Sequence, residues 1–151
     1  MSKSKTIYQS ARELRGITQE KAAELICVSV ESLRAYETGR RVPAGDIVTK
    51  MAEAYGSSLL AYRHLINSDA IETRYLPEVK GKTLPESSLG ILKEVADINE
   101  LLPLLVNITC DGKIDGTELE SWEVIKKELL DIVRAYYCLI LSVDDIRTRS
   151  E

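Results

Sequence analysis

The stretch TQEKAAELICVSVESLRAYETGRRVP, residues 18–43, starts two helices only eleven residues apart. Thr18 and Ser29 are hydroxyl residues of the kind that cap helix N-termini, and each precedes a short amphipathic run. That spacing leaves room for about two turns of helix and a turn of roughly four residues. Two helices joined so closely bury each other only if a small residue sits where they touch. Ala23 meets that need, Val28 can plug the turn, and Leu33 and Tyr36 can face the first helix. Such turns often use glycine, and this chain has Cys27 there. The substitution predicts a strained backbone or a slightly different turn.

Helical periodicity continues on both sides of this unit, and no hairpin signal of the Asn-Gly type appears. Ile7, Ala11 and Leu14 share one face of a first helix that stops at Gly16. Ala22, Ala23, Leu25 and Ile26 form the apolar side of the second. Pro43 precedes a fourth helix carrying Ile47, Val48, Met51, Ala52 and Tyr55, closed by Gly56. Ser58 can cap a fifth, with Leu59, Leu60, Tyr62 and Leu65. Residues 67–88 are polar, contain Pro77, Gly81 and Pro85, and read as a connector with one short helix near 70–75. Leu89, Leu92, Val95, Ile98, Leu102, Leu105 and Ile108 then repeat at three and four, with Pro103 expected to kink or split that helix. Beyond CDGKIDG, a long run places Leu119, Trp122, Ile125, Leu129, Ile132 or Val133, Tyr136 and Ile140 on one side, predicting an antiparallel hairpin. The expected chain is all-α: a five-helix domain over 1–66, a linker over 67–88 and a helical hairpin over 89–151.

Charge divides along the same line. The net charge is −4, yet residues 1–66 carry a net +3 and residues 67–151 a net −7. Only the first half offers phosphates a positive face, and local charge outweighs the total for that purpose. No apolar run reaches the ~18 residues of a membrane span, and no signal peptide is visible, so a cytoplasmic protein is expected. Cys27, Cys110 and Cys138 lack metal or disulfide spacing and read as reduced core thiols. The loop beginning DGKIDG imitates a calcium loop, but Lys113 and Trp122 fall where two essential oxygen ligands belong. With one histidine and no nucleophile or phosphate-loop constellation, neither an enzyme nor a bound metal or cofactor is expected.

Residues 7–66 resemble the XRE family, the helix-turn-helix domain of lambda repressor and Cro. The resemblance rests on Thr18, Gln19, Ala23, Val28, Ser29, Leu33, Glu37, Gly39, Arg41 and Pro43. It implies a lambda-repressor-like five-helix fold whose third helix enters the major groove of double-stranded DNA. On that implication Val30, Glu31, Arg34 and Ala35 meet base edges, Arg34 as the candidate for a bidentate contact to guanine. Gln19, Ser32, Arg40 and Arg41 would hold phosphates, setting affinity and register. Arg12 and Glu37 occupy positions where the family commonly places a structural ion pair. The second half, through YLPE, LPES and DGKIDGTELESWEVIKKEL, resembles the C-terminal helical module behind the XRE domain in many Firmicutes regulators, which implies architecture only.

The segment IVRAYYCLIL, residues 132–141, is more apolar than a lone hairpin can bury. Self-association is the economical solution, with Trp122, Leu129, Val133, Tyr136 and Ile140 as the dimer residues. Together these readings give a regulator of transcription, a homodimeric repressor on a palindromic operator. The alternative is an antitoxin-like regulator whose C-terminal helices grip another protein. A small-molecule effector is left open.

Overall fold

Helix boundaries fall where the capping residues put them in the computed structural model, which describes residues 5–68 and 76–150. Thr6 caps α1 (Ile7–Arg15), which ends on Gly16 in the left-handed region at φ 74°. Thr18 caps α2 (Gln19–Leu25) and Ser29 caps α3 (Val30–Glu37). Then come α4 (Gly45–Tyr55), closed by left-handed Gly56, and α5 (Ser58–Ser68). The C-terminal pair is α6 (Leu84–Thr109) and α7 (Leu119–Ser150). Among the described residues the fold is all-helical, and no helix is long and apolar enough to cross a membrane.

Two compact units divide the chain, residues 1–78 with 143–151, and residues 79–142. The core of the first gathers Ala22, Ala23, Ile26, Leu33, Met51 and Leu60 from α2 to α5, each almost fully buried. Tyr8, Tyr36 and Tyr55 are its aromatic members, as a chain with no phenylalanine requires. Three residues expected on buried faces are not there: Leu14 is 90% exposed, and Leu25 and Leu65 are also exposed. In α1 the inward face is carried by Tyr8 and Arg12. An ion pair draws Arg12 inward, rotating the helix by about one residue and leaving Leu14 outside.

The last turns of α7 belong to the first unit. There the Asp145 carboxylate accepts the Ser58 backbone N–H at 2.5 Å. Ser58 is therefore the first residue of α5, not its cap, and its otherwise unpaired donor is satisfied by a residue 87 positions away. Tyr62 on α5 donates its hydroxyl to the Pro77 carbonyl at 2.6 Å.

In the second unit, α6 and α7 run antiparallel. Ser87, near the start of α6, donates to the Cys138 carbonyl far along α7 at 3.2 Å. The expected connector gives way to helix already at Leu84, because Glu86 reaches back to the Thr83 N–H at 2.9 Å and closes a capping box. The short helix expected near 70–75 lies outside the described residues. Pro103 does not split α6, which runs from Leu84 to Thr109 around it. The carbonyl that Pro103 leaves without a donor belongs to Asn99, and both residues are exposed, so water can take its place. In the α6–α7 turn, Asp115 Oδ1 accepts the N–H of Thr117 at 2.7 Å and of Glu118 at 3.2 Å. These bonds hold the Asp115 carboxyl below its usual range, led by the one from the Thr117 side chain.

Candidate nucleic-acid interface

The turn between α2 and α3 is made without glycine. Cys27 sits at φ 58°, the one non-glycine described residue in the left-handed region. That conformation lets the Val28 N–H reach back to the Ala23 carbonyl at 3.0 Å, and Val28 packs against the core. Ser29 then opens α3 by accepting the Ser32 N–H at 3.1 Å. Cys27 is exposed as a consequence, Cys110 is exposed too, and only Cys138 of the three thiols is buried. The expectation of three core cysteines is corrected accordingly.

Helix α3 has two faces. Leu33, Tyr36 and Glu37 are buried. Glu31 and Arg34 are exposed, while Ala35 and Ser32 are half-buried. Val30 is also half-buried and leans on the core, so its side chain is shared between fold and surface. Of the four residues expected to meet bases, Glu31 and Arg34 stand furthest clear.

Glu37 anchors the other face. Its Oε1 accepts from Arg12 Nε at 2.6 Å and its Oε2 from Arg12 Nη2 at 3.0 Å. Arg12 Nη1 donates to the Ile17 carbonyl at 2.7 Å. The pair thus ties α1, the α1–α2 turn and the end of α3 together in a nearly dry site, with side-chain exposures of 10% and 2%. The hydrogen bond to Glu37 raises the Arg12 pKa further above its ordinary value, against the opposing effect of burial. Two partners of this site carry no separate signal in the sequence. Gln19 Nε2 donates to Glu37 Oε2 at 2.7 Å, and Thr6 Oγ1 donates to the Glu37 carbonyl at 3.0 Å. Gln19, expected on a phosphate, is half-buried with its amide committed to Glu37. Tyr55 lies close enough for its titration to feel both charges, and burial pushes its hydroxyl up to about 12.

The segment after α3 is exposed and basic. Gly39, in the left-handed region, turns the chain, and the Arg41 N–H donates to the Ala35 carbonyl at 3.2 Å. Arg41 lies over the Tyr36 ring, 5.7 Å from its centroid, which orients the guanidinium while leaving its donors available. Arg40 Nε donates to Thr38 Oγ1 at 3.2 Å. Ser32 Oγ takes a hydrogen bond from Ser29 Oγ at 2.9 Å. The resulting surface presents the exposed side of α3 beside two oriented arginines.

One cluster elsewhere was not expected. Glu94, Glu128 and Asp131 bring carboxylate oxygens within 4.8 Å of one another in the second unit. Lys93, Lys127 and Arg134 pair with them, so their charge is already balanced. A neighbouring cavity of about 190 Å³ is lined by charged groups, among them Lys82, Glu94, Asp131 and Arg134. It is not the enclosed apolar pocket that a sensor of small apolar molecules needs.

A family model described as helix-turn-helix matches residues 9–61. The chain is also 28% identical over 121 residues to the HTH-type transcriptional regulator ImmR of Bacillus subtilis (strain 168), covering 80% of this chain and 84% of that protein. That similarity is longer than the helix-turn-helix match and so extends into the C-terminal helices. No solved structure matches the chain significantly. The helix-turn-helix match over residues 9–61 and the similarity to ImmR together support a DNA-binding transcriptional regulator of XRE type.

Proposed function

We propose that the protein is a cytoplasmic, homodimeric repressor in which two copies of α3 read the half-sites of a palindromic operator. The observation that carries the reading is the division of α3. Its buried side is locked to α1 through Glu37, and its open side presents Glu31 and Arg34 beside Arg40 and Arg41. On this reading Arg34 donates to guanine and Glu31 accepts from a cytosine amino group, with Ala35 and the free edge of Val30 against thymine methyl groups. Arg40, Arg41 and Ser32 steady the DNA backbone. Gln19 reaches a phosphate only through its remaining amide donor, since Glu37 already takes one. Two reading helices about one DNA turn apart multiply both affinity and specificity.

The test is genome-wide mapping of bound sites, followed by titration of a recovered duplex at increasing salt. A two-fold symmetric site and an affinity that falls steeply with salt are expected. A flat salt response, or no duplex binding at low salt, would sink the reading. Light scattering separates the antitoxin-like alternative: a well-folded monomer points to a missing protein partner, a tight dimer to a self-contained repressor.

A further inference from the structure

Where α1 meets the end of α4, the first unit holds a cavity of about 180 Å³ lined by Ala11, Leu14, Arg15, Tyr55 and Ser57. By liquid volume that is room for about six waters, which suits a compact molecule of a few carbons. Ala11 and Leu14 form an apolar wall, and Leu14 is 90% exposed. Arg15 is exposed too, and it pairs with no carboxylate among the described residues. Tyr55 is the enclosed member, only 2% exposed. Among the described residues, its hydroxyl is the one buried side-chain polar atom without a hydrogen-bond partner. Buried hydroxyls are normally satisfied, so this one is a donor that lacks its acceptor. The Glu37 carboxylate, whose charge it feels, is already engaged by Arg12 and Gln19. Burial pushes the phenol up to about 12, so its proton stays in place at neutral pH.

We propose that this cavity binds a small aliphatic carboxylate, held between the Tyr55 hydroxyl and the Arg15 guanidinium with its hydrocarbon tail on Ala11 and Leu14. The chemistry of the lining selects that class. A carboxylate offers acceptor oxygens to a hydroxyl and a guanidinium at once, and hydrogen bonds to an ionised acceptor are the strong ones. Its single charge matches the single unpaired cation of the lining. A phosphate carries about two charges and no hydrocarbon, so it would leave the apolar wall unused. The Ser57 hydroxyl adds a further donor at the same end of α4. The site is independent of the operator reading, because no residue of α3 lines it. Tyr55 nevertheless connects it to the Arg12–Glu37 pair, whose charges both act on its hydroxyl. An effector bound there would act from within the DNA-binding unit, not from the C-terminal helices.

The test is a titration of the full, isotope-labelled chain with sodium isovalerate, followed by amide NMR without DNA. Saturable shifts are expected at Arg15, Gly16 and Ser57, with a Kd on the order of 1 mM for so small a ligand. Tyr55→Phe keeps the ring and removes only the unpartnered hydroxyl, so the fold should persist while isovalerate binding weakens at least ~10-fold. Arg15→Gln, at an exposed position, should weaken binding as much, and it decides the matter if Tyr55→Phe fails to fold. The neutral isostere isovaleramide should bind the wild type at least ~10-fold more weakly than isovalerate. Absence of saturable shifts at these residues would overturn the proposal. So would unchanged isovalerate binding in either folded variant. Equal binding of the amide, or tighter binding of inorganic phosphate, would overturn the carboxylate assignment.

Discussion

Cys27 shows how a single position can hold strain for the sake of a motif. A residue with a Cβ in the left-handed region costs about 1–2 kcal/mol, and glycine gives part of that back through its greater freedom when unfolded. Cys27→Gly should therefore raise stability by about 0.5–1 kcal/mol in urea denaturation, with an unchanged fold. Arg12 is the opposite case. Replacing it with alanine strands the Glu37 carboxylate, 98% enclosed at its side chain, and should cost ~3–5 kcal/mol. The same denaturation series reads it, and operator binding should fall with it because α3 loses its anchor. An Arg12→Ala protein as stable as the wild type would show that the pair contributes nothing. Both positions could be flagged from the sequence, Cys27 for occupying a glycine site and Arg12 through the family pattern. Gln19 could not. Its commitment to Glu37 depends on two helices meeting, and nothing within α2 distinguishes a glutamine facing phosphate from one facing a carboxylate.

Helix ends decide which elements respond to which conditions. Glu86 holds the start of α6, and its hydrogen bonds with Thr83 lower its pKa. A depressed folded value means stabilisation is present above the unfolded pKa of ~4.3 and is lost as pH falls through the folded value. Amide exchange at the first turn of α6 should therefore accelerate as pH drops below about 4 relative to its intrinsic rate, and Glu86→Gln should remove that acid dependence. The N-terminus of α5 behaves differently because its cap comes from Asp145, far along the chain. Asp145→Ala should cost about 1 kcal/mol and speed exchange specifically in the first turn of α5. A local capping box such as Thr83–Glu86 is written in four consecutive residues, yet Pro85 and the polar surroundings read as a connector and mask it. A cap supplied from another helix leaves no local trace at all. Pro103 illustrates the converse, a local breaker that a long helix tolerates where its freed carbonyl faces water.

For the whole molecule, the net acidity belongs to residues 67–151, and residues 1–66 keep the net positive charge that favours phosphates. Substitutions there should separate into two kinds. Arg34→Ala is expected to cost ~1–3 kcal/mol of discrimination at one operator position. Arg40→Ala should weaken binding to all duplexes alike and reduce the salt slope by about 1. Titrating both variants against the operator and a scrambled duplex distinguishes them, and identical behaviour would mean that Arg34 reads no base.

The five-helix N-terminal order, the Thr18 and Ser29 caps and the helix-turn-helix unit between them were legible in the sequence. These features are encoded in periodicity and in residue types at fixed short spacings, which survive without knowledge of the fold. The division of each long C-terminal helix into a buried and an exposed apolar stripe was decided only by the tertiary structure. Periodicity shows that a face is apolar but not what covers it. The same holds for Leu14 outside and Arg12 inside: hydrophobicity alone favours the leucine, and only the facing carboxylate of Glu37 reverses the order.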